Sequence, residues 1–74
     1  MPNYIVNTNA QSNGDHEVHV TPRSSCTSPR YPAPQHQESL GFHVSCSGAV
    51  TEAKRRGYRS ADGCAYCSGA CHTS

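Results

Sequence analysis

Two short segments near the start of the chain have the pattern of β-strands. Tyr4 to Asn7 places Ile and Val between an aromatic and a polar residue, and His16 to Val20 alternates valine with polar residues. The stretch between them is rich in turn-forming residues and contains Asn13-Gly14, which favours a tight reversal of the chain. We therefore predict a β-hairpin.

The alternation in the second strand sorts its side chains onto two faces. Successive side chains of a strand point to opposite sides, so Val18 and Val20 share one face with His16, while Glu17 and His19 share the other. His16 and His19 therefore cannot easily bind one metal ion together. We expect both to be half-exposed histidines of a strand.

A third strand and a helix follow in the second half of the chain. Leu40 to Val44 has the composition of a short strand. Ser45 or Ser47 can cap a helix that runs to about Arg56, with Gly57 at the position where a glycine commonly ends a helix. An apolar stripe at helical spacing faces inward: Cys46, Val50 and Ala53.

Composition shows that these elements enclose only a small core. Valine, isoleucine, leucine and phenylalanine number eight of 74 residues, about 11%, against the roughly 20% expected of a chain that folds by apolar burial. The length allows one domain, residues 1–74, with an irregular Pro-rich loop at about 21–38. The fold therefore needs a further cross-link for stability, and the five cysteines and five histidines can supply it.

The residues at the start of the chain indicate a compartment. Met1 to Asn7 contains neither a basic segment nor a long apolar run, so we expect no signal peptide, no membrane span and a cytoplasmic location. Cysteines in the cytosol are kept reduced and serve first as metal ligands or catalytic groups. The odd number of five also fits poorly with a closed set of disulfides.

The strongest chemical signal is Cys64-x-x-Cys67, which has Gly63 before it and Gly69 after it. Two thiolates at this spacing in a tight turn can bind one tetrahedral zinc ion, and a closed structural site needs four ligands. We predict that one Zn²⁺ per chain is bound by Cys26, Cys64, Cys67 and Cys71, with His72 or His19 as the alternative fourth ligand. Cys46 is expected to be a small buried residue of the core.

The order of these pieces resembles the small, zinc-ribbon-like metal-binding domains of the Ada type. The matching segments are Tyr4-Ile5-Val6-Asn7, Val18-His19 followed by Cys26, Phe42 to Ser47, Ala53-Lys54-Arg55-Arg56-Gly57-Tyr58-Arg59, and Cys64-Ala65-Tyr66-Cys67. The resemblance implies that the ligands are Cys26, Cys64, Cys67 and either His19 or Cys71.

The predicted fold is a small α+β domain with a short antiparallel sheet of two or three strands, one helix and a C-terminal zinc knuckle. No paired carboxylates, phosphate-binding glycine loop or catalytic triad stands out, so we predict a non-enzymatic zinc module that binds protein or nucleic acid and no membrane. A basic group could contact phosphates: Lys54, Arg55, Arg56 and Arg59. The alternative is a thiol redox or thiol-transfer protein that uses Cys64 and Cys67.

Overall fold

A four-stranded sheet with one helix forms the frame of the protein. The computed structural model describes residues 1–72, so residues 73 and 74 of the expected domain lie outside the described residues. The elements are β1 (Asn3–Asn7), β2 (His16–Thr21), β3 (Gln37–Phe42), α1 (Cys46–Arg55) and β4 (Ala61–Gly63). The strand order is β3-β1-β2-β4, in which β1 is antiparallel to both of its neighbours and β4 is parallel to β2.

This architecture confirms the expected small α+β class, and the predicted hairpin is the pair β1 and β2. Gly14 in the connecting turn has φ 91°, a conformation that glycine adopts at no steric cost. The Asn13 side chain accepts a hydrogen bond from the Asp15 backbone N–H at 3.0 Å, as in an Asx turn. The turn residues therefore form the local structure that their types favour.

The core lies between one face of the sheet and α1. Tyr4, Val6, Val18 and Leu40 point to this side and meet the small side chains of the helix, Ala49 and Ala53 among them. The helix begins after Ser45 and closes at Gly57, whose φ is 102°. Because the helix buries alanines, it can lie close to the sheet, and the core stays as small as the composition implied.

The third strand differs from the expected Leu40 to Val44 segment. β3 begins earlier, at Gln37, because it pairs with β1 along its whole length, from Asn7↔Gln37 to Asn3↔Phe42. Its register shifts between Tyr4 and Ile5. Val44 lies beyond the strand and is exposed. Pairing with a central strand, rather than local apolar content, sets the limits of this edge strand.

The fourth strand was not predicted from the sequence. Ala61–Gly63 is a three-residue strand without a β-branched or aromatic residue, so its own preference for β-structure is low. It forms because the chain leaving α1 returns beside β2, with His16↔Ala61 and Val18↔Gly63 as pairs. The Cys64 backbone N–H then donates to the Val18 carbonyl at 2.9 Å, which carries the pairing into the cysteine turn.

A disulfide joins the helix to the C-terminal segment. Cys46 at the start of α1 is bonded to Cys71, which ends a single turn of 3₁₀ helix at Gly69–Cys71. Gly63 lies against this turn so closely that an added Cβ would be 2.7 Å from the Cys71 Cβ and 2.5 Å from the Ser68 carbonyl oxygen. No helix within residues 1–72 is long and apolar enough to cross a membrane.

Candidate metal centre

Four donor atoms converge on the face of the sheet that is turned away from α1. They belong to His19, Cys26, Cys64 and Cys67, and all lie within 4.8 Å of one another. His19 and Cys64 are fully buried, and Cys26 is 6% exposed. The described residues thus bring together one imidazole and three thiols from three separate segments of the chain.

The spacing of these donors fits a tetrahedral zinc ion. Bonds of about 2.3 Å to sulfur and about 2.0–2.1 Å to nitrogen would separate two sulfur ligands by about 3.8 Å, and a nitrogen from a sulfur by about 3.6 Å. The Cys26 and Cys64 Sγ atoms are 3.7 Å apart. The His19 Nδ1 is 3.6 Å from the Cys26 Sγ and 4.0 Å from the Cys67 Sγ.

Sheet alternation places His19 in the cluster. Val18 belongs to the core beside α1, so the next side chain along β2 points to the opposite face. Cys64 arrives on the same side because it directly follows β4, the neighbour of β2. Cys26 lies in the Pro-rich loop just after the 3₁₀ turn at Arg23–Ser25 and tethers that loop to the cluster.

The same loop also covers the histidine ring. The Tyr31 ring lies 5.1 Å from the His19 ring between centroids, and the Tyr31 hydroxyl donates to the Val20 carbonyl at 3.2 Å. The Arg23 guanidinium lies 5.4 Å from the centroid of the Tyr31 ring, within range of a cation–π contact. The loop is therefore held to the cluster at two places, by Cys26 and by Tyr31.

Backbone N–H groups point at two of the sulfur atoms. The Val20 N–H donates to the Cys67 Sγ at 3.4 Å, and the Tyr66 N–H donates to the Cys64 Sγ at 3.4 Å. The Ser68 N–H bonds to the Cys64 carbonyl at 2.8 Å and closes the turn. Such donors stabilise sulfur in its charged form, so the turn is suited to holding metal-bound thiolates.

Without a cation, the environment opposes charge at Cys67 and Cys26. Burial, together with the neighbouring thiols, raises the pKa of Cys67 to about 12. Burial likewise raises the pKa of Cys26. Burial lowers the pKa of His19, against the opposing effect of Glu17, so the neutral ring is favoured. A bound divalent cation would reverse this balance, because it replaces the thiol protons.

The structure does not bring Cys71 to the cluster. Cys71 forms the disulfide with Cys46, and the four-donor group contains His19 in the place where the sequence analysis had put Cys71. His72, the other alternative, is held away: its Nδ1 is 3.0 Å from the Gly63 carbonyl oxygen and 3.2 Å from an Asp62 carboxylate oxygen. Cys46 is buried as expected, but as half of a disulfide.

The expectation that His16 and His19 are both half-exposed is wrong for His19, which is fully buried. His16 is half-buried on the helix side, where its Nδ1 lies 2.9 Å from the Asn7 carbonyl oxygen and its ring packs edge-on against Tyr58. The opposite faces assigned to the two histidines are therefore correct. What the sequence did not reveal was that the Pro-rich loop covers the His19 face.

The basic group at the end of α1 is partly occupied by acidic partners. The Arg55 and Arg56 side chains both bond to the Glu52 carboxylate, at 2.6 and 2.7 Å, and Arg56 also reaches Glu38 at 2.9 Å. These hydrogen bonds, from Arg55 and then Arg56, lower the pKa of Glu52 to about 2. Lys54 and Arg59 are exposed. The four residues therefore do not form an uncompensated positive surface.

Comparison with known proteins adds no assignment: no family model, no curated protein and no solved structure matches this chain. The cluster itself is consistent with a metal-binding domain. The resemblance to Ada-type domains stands on the order of the motifs alone. The ligand set that it implied included His19 as one of two choices for the fourth ligand.

Proposed function

We propose that this protein is a non-enzymatic, single-domain zinc module in which His19, Cys26, Cys64 and Cys67 bind one structural Zn²⁺. The observation that carries the proposal is the buried convergence of four donors within 4.8 Å. Four protein ligands around one ion leave no open position for a substrate or water, which is the usual difference between a structural and a catalytic zinc site.

Zinc is the preferred ion on the chemistry of the donors. One imidazole with three thiolates is a common ligand set of structural zinc, and the distances between the sulfur and nitrogen atoms suit its bond lengths. Iron in small thiolate sites is commonly held by four cysteines. The imidazole therefore weighs toward zinc, and the Ada-type resemblance forms part of the same proposal. A cytoplasmic location is proposed with it, and there the Cys46–Cys71 disulfide would have to persist where thiols are kept reduced.

The module is proposed to act by binding a protein partner. Phe42 and Val44 are large apolar residues that are 65% and 84% exposed at the end of the edge strand β3. Scattered exposed apolar residues are ordinary, but Phe42 ends the edge strand of the described sheet and Val44 follows two residues later. A sheet edge is a common docking surface for peptides. Nucleic-acid binding through the basic group is less supported, because Arg55 and Arg56 are already paired.

The thiol redox alternative meets a physical objection. A reactive cysteine needs a lowered thiol pKa and some access to solvent. Here the pKa of Cys67 is raised to about 12, and Cys64 is fully buried. Both observations argue against nucleophilic chemistry at this pair.

Native mass spectrometry with metal analysis and thiol alkylation on one sample tests the proposal. We expect one zinc per chain and protection of Cys26, Cys64 and Cys67 from alkylation. His19→Ala should bind zinc much more weakly, whereas the matched control His36→Ala, whose ring is outside the cluster, should bind it normally. A metal-free protein with Cys64 and Cys67 oxidised to a disulfide would instead make the redox alternative the leading one.

The binding half of the proposal needs its own experiment. Titration of a labelled single-stranded oligonucleotide into the zinc-loaded protein at low salt should leave the resonances of Lys54 and Arg59 unchanged. A salt-sensitive shift there would favour nucleic acid over protein as the partner.

A further inference from the structure

We propose that Glu17 is the positioning residue of the metal centre: its carboxylate accepts the Nε2–H of His19 and so directs Nδ1 toward the three thiols. This inference rests on the proposed function, because it assigns the residue that orients one of the proposed ligands. Glu17 itself is not one of the four converging donors.

The geometry places the carboxylate on the far side of the ring from the thiols. Glu17 and His19 are two residues apart on β2 and therefore share a face. The Glu17 Oε1 is 3.4 Å from the His19 Nε2, whereas the Nδ1 of the same ring faces Cys26 and Cys67. The imidazole thus lies between a carboxylate and a group of sulfur atoms.

Burial explains why these two atoms need one another. His19 is fully buried and Glu17 is 9% exposed. Among the residues that the structure describes, neither the Glu17 Oε1 nor the His19 Nε2 has a hydrogen-bond partner, and the two atoms face each other at 3.4 Å without a formed hydrogen bond. A buried polar atom without a partner costs about 1–3 kcal/mol, so a small closure of this gap into a hydrogen bond would relieve both atoms at once.

The chemistry of imidazole makes the arrangement directional. A neutral ring carries one N–H, and the nitrogen that binds a metal must be the one without it. If Nδ1 is the ligand, the proton is on Nε2 and needs an acceptor, which Glu17 provides. An acceptor of this kind fixes the tautomer and the orientation of the ring, and it raises the basicity of the ligating nitrogen.

A side chain that only fills space and a side chain that positions His19 respond differently to substitution. If the carboxylate only fills space beside β1, any side chain of similar size should preserve the metal site. If it positions His19, an isosteric acceptor should preserve the site and an isosteric apolar residue should not. Glu17→Gln and Glu17→Leu separate these cases, and Glu52→Gln, on the exposed side of α1, is the matched control.

The test is zinc affinity, measured by competition with a chromophoric chelator, together with the imidazole ¹⁵N and ¹H spectrum of His19 in the zinc-loaded protein. We expect Glu17→Leu to weaken zinc binding about 10–100-fold. Glu17→Gln should stay within a few-fold of the natural protein, and Glu52→Gln should match it. The Nε2–H resonance should be protected from exchange in the natural protein and shifted in Glu17→Gln.

The outcomes distinguish the two proposals. One outcome overturns the role of Glu17 and leaves the zinc module standing. In it, the natural protein binds zinc through His19, Glu17→Leu binds zinc equally well, and the Nε2–H resonance does not move in Glu17→Gln. If the natural protein binds no zinc, or His19→Ala binds it unchanged, the zinc module fails first. If Glu17→Leu does not fold, the Nε2–H shift of Glu17→Gln decides the question alone.

Discussion

The two faces of the sheet are held by different chemistry, although one strand supplies both. On the helix face, Val18 packs with Val6 and Leu40 against the alanines of α1. On the opposite face, His19 points at thiols rather than at an apolar layer. The difference shows how a chain with few apolar residues can cover both sides of a sheet. One face is closed by packing, and the other is suited to closure by a metal ion.

The five cysteines divide between the two faces in the same way. Cys46 and Cys71 meet at the helix core and form a disulfide. The other three are free thiols that lie with His19 on the opposite face. The odd number, which argued against disulfides alone, is therefore the sum of one disulfide and a three-thiol site completed by a histidine. The helix face has a disulfide and the opposite face has the proposed metal site, and separate predictions test the two.

The largest effect is expected from metal removal. Zinc binding contributes about 10–16 kcal/mol to folding in small finger peptides at pH 7, and the helix-face core is small. Chelation should therefore collapse the dispersed amide spectrum of the protein, starting with residues around His19 and Cys64. A spectrum that stays dispersed in chelator would show that the helix face is sufficient to hold the fold.

The disulfide comes next, and its removal also tests the role of Cys71. It closes a loop with a sequence separation of 25, for which the chain-entropy relation gives about 3.5 kcal/mol. The double variant Cys46→Ala/Cys71→Ala should lower the free energy of unfolding of the zinc-loaded protein by about that amount in urea. Its zinc content should stay at one per chain. Loss of zinc would instead identify Cys71 as a ligand.

A smaller effect is expected where Gly63 at the end of β4 packs against the C-terminal turn. An added Cβ at Gly63 would contact the Ser68 carbonyl oxygen and Cys71, and neither atom can move freely. Gly63→Ala should therefore destabilise the protein by about 1–3 kcal/mol, measured by thermal or urea unfolding. Gly69→Ala is the matched control, because no atom of residues 1–72 lies within 4 Å of its added methyl group. Equal stability of the two variants would contradict the described packing of the C-terminal turn.

The smallest effect is expected at the surface of α1. Because the pKa of Glu52 is lowered to about 2 in the folded protein, the stability that this carboxylate contributes is present above its ordinary value of 4.5. It is lost as the pH falls from 4.5 through about 2. Glu52→Gln should lower the urea midpoint slightly at pH 7, and added salt should reduce the difference. A large, salt-independent drop in the urea midpoint would contradict the view that the Glu52 ion pairs are weak surface interactions.

Much of this division could be predicted from the sequence, for a local reason. The valines of β2 and the period of a strand place Val18 and His19 on opposite faces whatever surrounds them. The helix, with its inward Cys46, follows from spacing and from the glycine at its end in the same way, whereas Ser45 precedes it without a side-chain capping bond. Cys64 and Cys67 are neighbours in a turn, so their convergence needed no knowledge of the rest of the fold.

The remaining features depend on contacts between distant segments. β4 exists because Ala61 to Gly63 returns beside β2, not because those residues favour a strand. Three cysteines and two histidines were available to complete the pair in the turn, and sequence spacing ranked Cys71 first because it is nearest. The number of cysteines favoured a histidine as the fourth ligand. If three of the five cysteines bind the metal together with a histidine, the remaining two can form a disulfide.

The sequence by itself therefore determined a small α+β domain with a weak core, two-faced strands and a cysteine turn suited to a metal. The tertiary structure alone decided which donors meet at that turn, that Cys46 and Cys71 pair on the other side, and that Glu17 lies behind the ring of His19. The reason is physical. Periodicity and turn chemistry act over a few residues, whereas a ligand set and a disulfide are chosen by which distant segments the packed sheet brings within a few ångströms.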